Sequence, residues 1–368
     1  MRIAYDHQIF GWQEYGGISR YFYELAREMA TTCGQQVKII APLYVNRYLD
    51  KAPDELQVFG TLSPYVPKSG RFYRFLNALI AAPLLQHFRP DIVHETYYAS
   101  AGVAPRDAKV VLTVFDMIHE RFKESVSAFD PVSREKIRAV KRADHVICIS
   151  EQTRRDLLEL IDINPAKTSV VYLGFSLIAA ASRQTCNITI PRPFLLYVGK
   201  RGGYKNFEGL LKAYAASSLL RAEFDLVCLG GGGITSAERD LMQRLNLPAE
   251  RVRQVSGDDA VLEAHYRAAT AFVFPSLYEG FGLPPLEAMS FDCPVICSGV
   301  SSIPEVVGDA AALFDPYEAE AMRGTIERLV GDDALRQSLI LRGRERLRVF
   351  SWTRCARETL DVYGKVLA

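Results

Sequence analysis

The chain lacks the features that mark membrane-spanning and secreted proteins. No stretch of its 368 residues approaches the roughly 18 consecutive apolar side chains that a membrane-spanning helix needs. The start, residues 1–6, is short, charged and strand-like, unlike a secretory signal. The seven cysteines form an odd, scattered set without a disulfide framework, and Cys293 and Cys297 have no companion cluster for zinc. We therefore expect buried thiols in a reducing cytoplasm.

An excess of one charge is also missing. The net charge is +1 and no long block of like charges occurs, which argues against nucleic acid as the main partner. No Gly-x-Gly-x-x-Gly follows the first predicted strand, so a nicotinamide-dependent oxidoreductase is not supported. An apolar fraction of 49% and a charged fraction of 24% are ordinary for a globular protein, and the length suggests roughly two domains.

Apolar, strand-like runs alternate with helical patterns along the chain, which predicts an α/β protein of parallel sheets covered by helices. In the first half we predict strands at 2–5, 37–41, 92–94, 110–115, 145–149 and 169–173, and helices at 18–30, 72–88, 131–143 and 151–160. In the second half we predict strands at 194–199, 224–229, 252–255, 271–274 and 295–297, and helices at 207–217, 236–245, 258–269 and 284–291, with two more after Pro316.

The alternation breaks once, at residues 174–193, which have no clear amphipathic period. We therefore predict two Rossmann-like domains, residues 1–175 and 194–350, joined by a linker at 176–193 and followed by a last helix at 351–368. Ligands of such sheets bind beyond the carboxyl ends of the strands, so the loops that follow strands are expected to carry the chemistry.

Residues 276–289 are the most informative stretch, and they read Ser-Leu-Tyr-Glu-Gly-Phe-Gly-Leu-Pro-Pro-Leu-Glu-Ala-Met. Glu279 and Glu287 bracket a glycine turn that leads from a buried strand into a helix starting at Pro284. Backbone N–H groups of the turn should point out of the helix start, where the macrodipole favours an anion. The turn residues are Gly280, Phe281, Gly282 and Leu283.

The two carboxylates suit the hydroxyl groups on either side of such an anion. Glu287, expected in the first helical turn, is placed to accept hydrogen bonds from a ribose, and Glu279 from a polyhydroxylated group beyond the phosphate. The pattern is that of a sugar-nucleotide site. The alternative is a plain glycine turn with a carboxylate near a helix start.

This stretch resembles the signature of the retaining glycosyltransferases of family 4, two glutamates with seven residues between them. The resemblance implies the GT-B architecture, in which two Rossmann-like domains face each other across a cleft and the C-terminal helix crosses back to the N-terminal domain. It also implies transfer of a hexosyl unit from a nucleoside diphosphate sugar to a glycan or lipid-linked glycan, with no cofactor and no metal.

Within that family the chain is similar to bacterial mannosyl- and rhamnosyl-transferases of surface polysaccharides. A donor carrying mannose or a 6-deoxyhexose is therefore favoured, and glucosyl or galactosyl transfer from a UDP-sugar is the alternative. In either case the resemblance gives Glu279 the task of gripping the sugar and stabilising its oxocarbenium-like state. A non-catalytic binding or scaffold protein is the alternative of another class, and the intact motifs speak against it.

A basic loop at residues 197–207 follows the first predicted strand of the second half. Its cations suit a diphosphate that gains charge as its bond to the sugar breaks. The resemblance assigns this role to Arg201 and Lys205, while Lys200 occupies the position where other members have their arginine. The alternative is a solvated basic loop that caps a helix at Asn206.

Two strand ends of the first half carry further candidates. Gly16 and Gly17 would let backbone approach the donor phosphates or the acceptor, although a tight turn explains them equally well. The resemblance implies that Asp116 orients the acceptor hydroxyl and that His119 bonds the acceptor or the donor sugar, although Phe115 replaces the family's histidine. The alternative is a helix-capping aspartate and a loop histidine.

Glu95, Tyr97 and Tyr98 end another predicted strand and are candidates for the acceptor side, because aromatic faces suit sugar rings. Simple packing is the alternative for both tyrosines. The carboxylate pair at 258–259 is better explained as a helix cap than as a magnesium site, and Ser150 likewise as a cap.

Residues 68–82 mix basic and bulky apolar side chains at helical spacing. We favour an ordinary helix that covers the first sheet. The alternative is a helix lying on the inner membrane surface, with Arg71 and Arg74 near lipid phosphates, which would suit a lipid-linked acceptor. The expected location is therefore cytoplasmic, with peripheral contact at the membrane as an open alternative.

Overall fold

The computed structural model describes residues 1–64, 70–122, 131–176, 188 and 190–368. The chain divides into two compact units, Met1–Gly174 together with Phe350–Ala368, and Phe175–Val349. The domain boundaries expected at 175 and 350 lie beside these divisions. Most of the predicted linker, residues 177–187 and 189, lies outside the described residues.

The first unit is built on a parallel sheet. Its strands are β1 (Arg2–Tyr5), β2 (Gln36–Tyr44), β3 (Gln57–Leu62), β4 (Ile92–Glu95), β5 (Lys109–Val114), β6 (His145–Cys148) and β7 (Thr168–Val170). Its helices before residue 174 are α1 (Gly17–Thr31), α2 (Gly70–Phe88), α3 (Ile118–Arg121), α4 (Val132–Arg142) and α5 (Glu151–Leu160). Among the described residues the seven strands lie in the order β3-β2-β1-β4-β5-β6-β7.

Strands β4 and β6 of this sheet are fully buried, as expected for a parallel sheet covered on both faces. β1 pairs with β2 on one side and with β4 on the other, so the direction in which the chain builds the sheet reverses between β1 and β4. In open parallel sheets, a crevice that binds ligands opens at this reversal, beyond the carboxyl ends of the strands.

The edge strand β3 is absent from the sequence prediction, because most of its residues are exposed and it lacks an apolar run. It pairs with β2, with a shift in register between Ile40 and Leu43. Gly60 permits this pairing, since its φ is +155° and a Cβ there would lie 1.8 Å from the Ala41 carbonyl oxygen. The side-chain amide of Asn77 bonds both backbone groups of Leu43 beside the irregularity.

Helix α2 covers this sheet with one face and leaves apolar side chains exposed on another. Ala81 and Leu85 are buried in a cluster with the sheet, whereas Phe72, Phe75 and Leu79 are largely exposed. The interpretation of residues 68–82 as a helix covering the first sheet therefore holds for residues 70–82; residues 68 and 69 lie outside the described residues. No helix in the described parts of the chain is long and apolar enough to cross a membrane.

The second unit repeats the same plan. Its strands are β8 (Phe194–Val198), β9 (Asp225–Leu229), β10 (Val252–Val255), β11 (Ala271–Phe274), β12 (Val295–Ser298) and β13 (Ala312–Phe314). Its helices are α6 (Phe207–Ala216), α7 (Ser218–Glu223), α8 (Ser236–Arg244), α9 (Asp259–Ala268), α10 (Leu283–Ser290), α11 (Ile303–Val307), α12 (Ala319–Gly331) and α13 (Asp333–Leu347). The strands described in this unit form a parallel sheet in the order β10-β9-β8-β11-β12-β13.

Two helix starts follow the sequence prediction closely. The Ser150 hydroxyl caps α5 by accepting a hydrogen bond from the Thr153 N–H, and Asp258 caps α9 through the N–H groups of Ala260 and Val261. The interpretation of Ser150 and Asp258 as caps is therefore confirmed. The described cysteines are free thiols, and all but Cys33 are buried.

The C-terminal helix α14 (Trp352–Leu367) belongs to the first unit. The Tyr363 hydroxyl lies 2.6 Å from His94 Nδ1 on β4 and 3.3 Å from the Tyr5 hydroxyl on β1. Near the start of α14, Thr353 donates a hydrogen bond to Glu28 of α1. The expectation that the last helix crosses back to the N-terminal domain is confirmed.

Candidate functional site

The predicted glycine turn lies between β11 and α10. Helix α10 begins at Leu283 with Gly282 as its N-cap, and the φ of Gly282 is +115°, a conformation that glycine adopts without strain. Gly282 provides no side-chain cap, and because Pro284 and Pro285 lack N–H groups, Leu283 carries the first helical N–H donor at this end. Pro284 stands second in the helix. Glu287 is its fifth residue, so the expectation of a first-turn carboxylate is wrong.

Lys205 and Glu279 meet beside this turn. Lys205 Nζ donates to Glu279 Oε1 over 2.7 Å, and the two side chains are 22% and 12% exposed. The basic loop is held against the turn's strand because the Leu277 N–H donates to the Tyr204 carbonyl over 2.7 Å. A cation from the end of β8 and a carboxylate from the end of β11, two neighbouring strands, therefore form one partly open ion pair.

Two serines that follow β12 shape the backbone of the turn. The Ser302 hydroxyl lies 2.9 Å from the Glu279 carbonyl and 2.8 Å from the Phe281 carbonyl. The Ser301 hydroxyl lies 3.2 Å from the Glu279 N–H and 2.8 Å from its carbonyl. No motif in the sequence reveals that Ser301 and Ser302 hold the Glu279 turn.

Glu287 lies half-buried on the helix behind the turn. The buried Tyr266 hydroxyl is 3.5 Å from Glu287 Oε2. Burial, and then the neighbouring Glu287 charge, raise the pKa of Tyr266 well above its usual value, so this phenol remains a donor at physiological pH. Tyr266 thereby orients the carboxylate from below.

The side chain of Arg201, which is predicted to bind the diphosphate, is buried in contacts within the protein. Its side chain is only 2% exposed, and its Nε donates to Glu238 over 2.8 Å. The remaining donors reach carbonyl oxygens of the glycine loop after β9, at Gly230, Gly232 and Gly233, over 2.8 to 2.9 Å. The guanidinium therefore connects the glycine loop to α8, and a role for Arg201 at a diphosphate stays a prediction.

Lys200, next to Arg201, is exposed and has no ion-pair partner among the described residues. It lines a cavity of about 1150 Å³ between the basic loop and helices α6, α8 and α12. Lys205, Glu279 and Glu287 do not line this cavity. The candidate site is therefore the turn with its ion pair, not the cavity.

In the first unit, Gly16 and Gly17 start helix α1. Gly16 is the N-cap, and the Gln13 side chain supplies the missing cap by accepting a hydrogen bond from the Ser19 N–H over 3.2 Å. Gly17 is exposed, and a Cβ on it would meet no atom within 4 Å. The structure therefore shows a helix start at these glycines and not a tight turn, and a role for Gly17 at a ligand stays a prediction.

Asp116 and His119 follow β5, as predicted. One Asp116 oxygen accepts a hydrogen bond from the Ile118 N–H at the start of α3, and Lys136 Nζ bonds the Asp116 carbonyl over 2.8 Å. Lys136 is itself buried and paired with Glu120 over 2.8 Å. The capping alternative for Asp116 is present in the structure, and His119 lies on the short helix α3 rather than in a loop.

The three residues after β4 separate into two groups. Glu95 is buried and paired with Arg142, and Tyr98 is buried with its hydroxyl accepting a hydrogen bond from the Phe115 N–H. Burial, and then the nearby Asp6 charge, raise the pKa of Glu95 to about 7 against the pull of Arg142. The prediction that Glu95 and Tyr98 contact the acceptor directly is therefore corrected, because both are buried and support the neighbouring structure. Of the three residues, only Tyr97 is half-exposed.

Known protein families match both units. A model described as Glycosyltransferase Family 4 matches residues 15–177, and one described as Glycosyl transferases group 1 matches residues 180–346. Together these matches span most of the chain. The chain belongs to the family 4 glycosyltransferases.

Relatives of this family 4 glycosyltransferase include O-antigen enzymes. It is 28% identical over 376 residues to the O-antigen chain mannosyltransferase B of Escherichia coli, across 94% of this chain and 95% of that protein. It is also 28% identical over 355 residues to the serotype-specific mannosyltransferase WbdA of Escherichia coli, across 87% of this chain. That alignment covers 43% of WbdA, so the chain spans less than half the length of this relative.

Solved structures agree on the fold. The sucrose-phosphate synthase from Thermosynechococcus elongatus matches with a TM-score of 0.75 and 22% identity, across 99% of this chain and 98% of that one. The GT-B fold expected from the sequence is therefore confirmed. The similarity of this chain to bacterial mannosyltransferases also agrees with the resemblance seen in the sequence.

Proposed function

We propose that this family 4 glycosyltransferase moves a hexosyl unit, mannose or a 6-deoxyhexose, from a nucleoside diphosphate sugar to a hydroxyl of a glycan or lipid-linked glycan, with retention at the anomeric carbon. The observation that carries the proposal is the Lys205–Glu279 pair, 2.7 Å apart beside the glycine-capped start of α10. Cation, helix start and carboxylate are the three groups that a departing diphosphate and its sugar require.

In this proposal, Lys205 and the N–H groups of Gly282 and Leu283 hold the diphosphate. Lys200 is the second cation in place of Arg201, because Lys200 is exposed while Arg201 is bound to carbonyls and Glu238. Glu287 holds the ribose hydroxyls. All of these groups belong to one unit, so they can bind the donor without support from elsewhere in the chain.

The bond between the anomeric carbon and the diphosphate oxygen breaks, and its electron pair leaves with the diphosphate. Lys205 and the helix start stabilise the charge gained there. The acceptor hydroxyl attacks from the same face, and its proton passes to the leaving phosphate oxygen. When the donor binds, Lys205 turns to phosphate, which frees Glu279 to support the positive charge developing on the sugar.

The roles of Asp116, His119 and Gly17 in this proposal rest on sequence alone. Asp116 orients the acceptor hydroxyl and His119 bonds a sugar hydroxyl, while Gly17 lets the start of α1 approach a phosphate. No metal and no cofactor takes part. If the acceptor is lipid-linked, the exposed Phe72, Phe75 and Leu79 of α2 offer an apolar face to the membrane surface on the cytoplasmic side.

The test uses the purified protein with GDP-mannose as donor and an α-mannoside with a fluorescent aglycone as acceptor. UDP-glucose, UDP-galactose and a dTDP-6-deoxyhexose are tried in parallel, and each product is identified by mass spectrometry. We expect turnover with one of these donors, an unchanged rate in EDTA, and an anomeric configuration by NMR that matches the donor's. An inverted product would exclude the retaining mechanism. If no donor gives either transfer or hydrolysis, the proposed function is refuted.

Glu279→Gln tests the carboxylate. We expect kcat to fall by about a hundredfold or more, because removing one preorganised electrostatic group from an active site costs that much. Glu250→Gln, in a short exposed 3₁₀ helix of the same unit, is the matched control and should keep the full rate. A folded Glu279→Gln protein with the control's rate would exclude Glu279 from the chemistry.

A further inference from the structure

An exposed tryptophan stands on the loop between β1 and α1. Trp12 is 56% exposed, although aromatic side chains of this size are usually largely buried. Its ring packs on that of Tyr97, with ring centres 5.2 Å apart, and Tyr97 packs on the buried Tyr98, with centres 4.6 Å apart. The three rings form a ladder from the core to the surface, which we name the aromatic ladder.

The base of the aromatic ladder is fixed. Lys136 Nζ lies 5.2 Å from the centre of the Tyr98 ring, and this buried ammonium is itself held by Glu120. The Tyr98 hydroxyl accepts a hydrogen bond from the Phe115 N–H. Both the face and the hydroxyl of the Tyr98 ring therefore have fixed partners.

The Trp12 end is equally well fixed, although its loop is irregular. The Trp12 N–H donates to the Ile9 carbonyl over 3.1 Å, and the Ile9 N–H donates to the Thr96 hydroxyl over 3.1 Å. The side chain of the buried Asn46 donates to the Gln13 carbonyl over 2.8 Å. A rigid aromatic surface binds a ligand without the entropy cost of ordering a mobile loop.

The position of the aromatic ladder points to a ligand. Trp12 follows β1 and Tyr97 follows β4, the two neighbouring strands between which the order of the sheet reverses. The crevice beyond their carboxyl ends is where open parallel sheets bind ligands. The exposed ring therefore occupies the ligand-binding edge of the first unit.

The chemistry of the ladder favours a sugar ring. A pyranose has a face of C–H groups that packs on an aromatic ring and a rim of hydroxyls that needs polar neighbours. Gln13 and Glu14 follow Trp12 directly, and the neighbouring Gln8 is half-exposed. The exposed Trp12 ring among amides and a carboxylate matches such a hydroxylated rim better than it matches a lipid chain.

We propose that Trp12 and Tyr97 form a subsite for a pyranose of the acceptor glycan beyond the sugar that receives the new unit. The inference rests on the proposed function and narrows its acceptor to a chain of at least two hexopyranoses. Trp12 is then a residue that selects the length of the acceptor and takes no part in bond breaking.

The first experiment compares acceptors of different length. With a mannoside and a mannotrioside on the same fluorescent aglycone, Trp12→Ala should raise KM for the longer acceptor by about tenfold, the loss of one stacking contact, and leave kcat unchanged. The shorter acceptor and donor hydrolysis should be unaffected, and Trp12→Phe should restore most of the affinity. Phe59→Ala removes a ring that is 50% exposed on β3 and is the matched control.

The second experiment reads the ring directly. The chain has two tryptophans, so Trp352→Phe leaves Trp12 as the sole fluorescent reporter. If Trp352→Phe does not fold, the difference in fluorescence between the wild type and Trp12→Phe reports on Trp12 instead. Trisaccharides of α-linked mannose, glucose or rhamnose are the probes. At least one should protect Trp12 from acrylamide quenching saturably, whereas an isoprenyl phosphate should not.

Two outcomes would overturn the inference. One is donor turnover with no protection of Trp12 by any of the trisaccharides, and the other is an equal KM for the longer acceptor in wild type and Trp12→Ala. Protection by the isoprenyl phosphate alone is a case of the first outcome and would assign the ring to a lipid. Absence of donor turnover and donor binding in the wild type is a separate result, because it refutes the proposed function itself.

Discussion

Replacing Arg201 by alanine tests whether its guanidinium stabilises the fold or binds the ligand. The wild-type guanidinium donates to Glu238 and to three carbonyls of the glycine loop, and its side chain is almost fully buried. Alanine would leave the loop carbonyls without these donors and Glu238 without its cation. Breaking a buried ion pair from one side costs about 3–5 kcal/mol, so we expect a loss of that size in the free energy of unfolding.

The loss should be visible in thermal unfolding. For a domain of this size each kcal/mol lowers Tm by a few degrees, so Arg201→Ala should lower the Tm of the second unit by roughly 6–20 °C. Calorimetry and urea unfolding measure the change, with an unaltered m-value as the check that the unfolding transition is comparable. Arg201→Lys should recover little, because an ammonium cannot reproduce the planar fork of donors.

Lys200→Ala is the matched control, one residue earlier on the same loop. Lys200 is exposed and unpaired within the described residues, so its removal should change stability by less than about 0.5 kcal/mol. We expect it instead to raise KM for the nucleotide sugar. The reasoning fails if Arg201→Ala keeps wild-type stability and loses turnover while Lys200→Ala is silent, since Arg201 would then be the cation at the diphosphate.

Three further results are expected. Ser302→Ala removes the hydroxyl that bonds the Glu279 and Phe281 carbonyls and should cost about 1–3 kcal/mol in urea unfolding with a raised donor KM. Unchanged values would contradict its role in holding the Glu279 turn. Tyr363→Phe removes the buried partner of His94 and should cost about 1–3 kcal/mol, whereas a loss below experimental error would show that solvent replaces it. The pKa of Glu95 in the folded chain is about 7, above its usual 4.5, so between these pH values the folded chain binds more protons than the unfolded chain. The free energy of unfolding should therefore fall as pH rises from about 4.5 to about 7 and level off above that. Glu95→Gln should lack this part of the pH slope, and an identical slope in the variant would refute the assignment.

Much of the fold is readable from the sequence because its inner strands are buried on both faces. β11 and α5 lie at the predicted residues, because an apolar run marks the strand and a serine cap marks the helix; the edge strand β10 also lies at its predicted residues. β3 escapes prediction because its residues face solvent and its Gly60 interrupts the pattern. The three-residue β13 and the short α7 escape because neither is long enough to show a period.

The candidate site is predictable to the extent that strand order brings residues together. Lys205 and Glu279 each follow a strand, and the two strands prove to be neighbours, which produces their contact. The contacts of the Arg201 side chain are not predictable, because a sequence does not show whether a cation on a loop turns outward or toward carbonyls of a second loop. Trp12 goes unnoticed because one aromatic residue in an irregular loop has no periodic signal.

Helix α14 makes the first unit discontinuous, since its final segment is synthesised after all of the second unit. On a ribosome adding 5–20 residues each second, roughly 10–35 seconds separate residue 174 from residue 350. During that interval Tyr5 and His94 lack the Tyr363 hydroxyl that later joins them. The second unit has its whole sequence available first, so the nascent chain is expected to complete this unit before the first one, reversing the usual order of cotranslational folding.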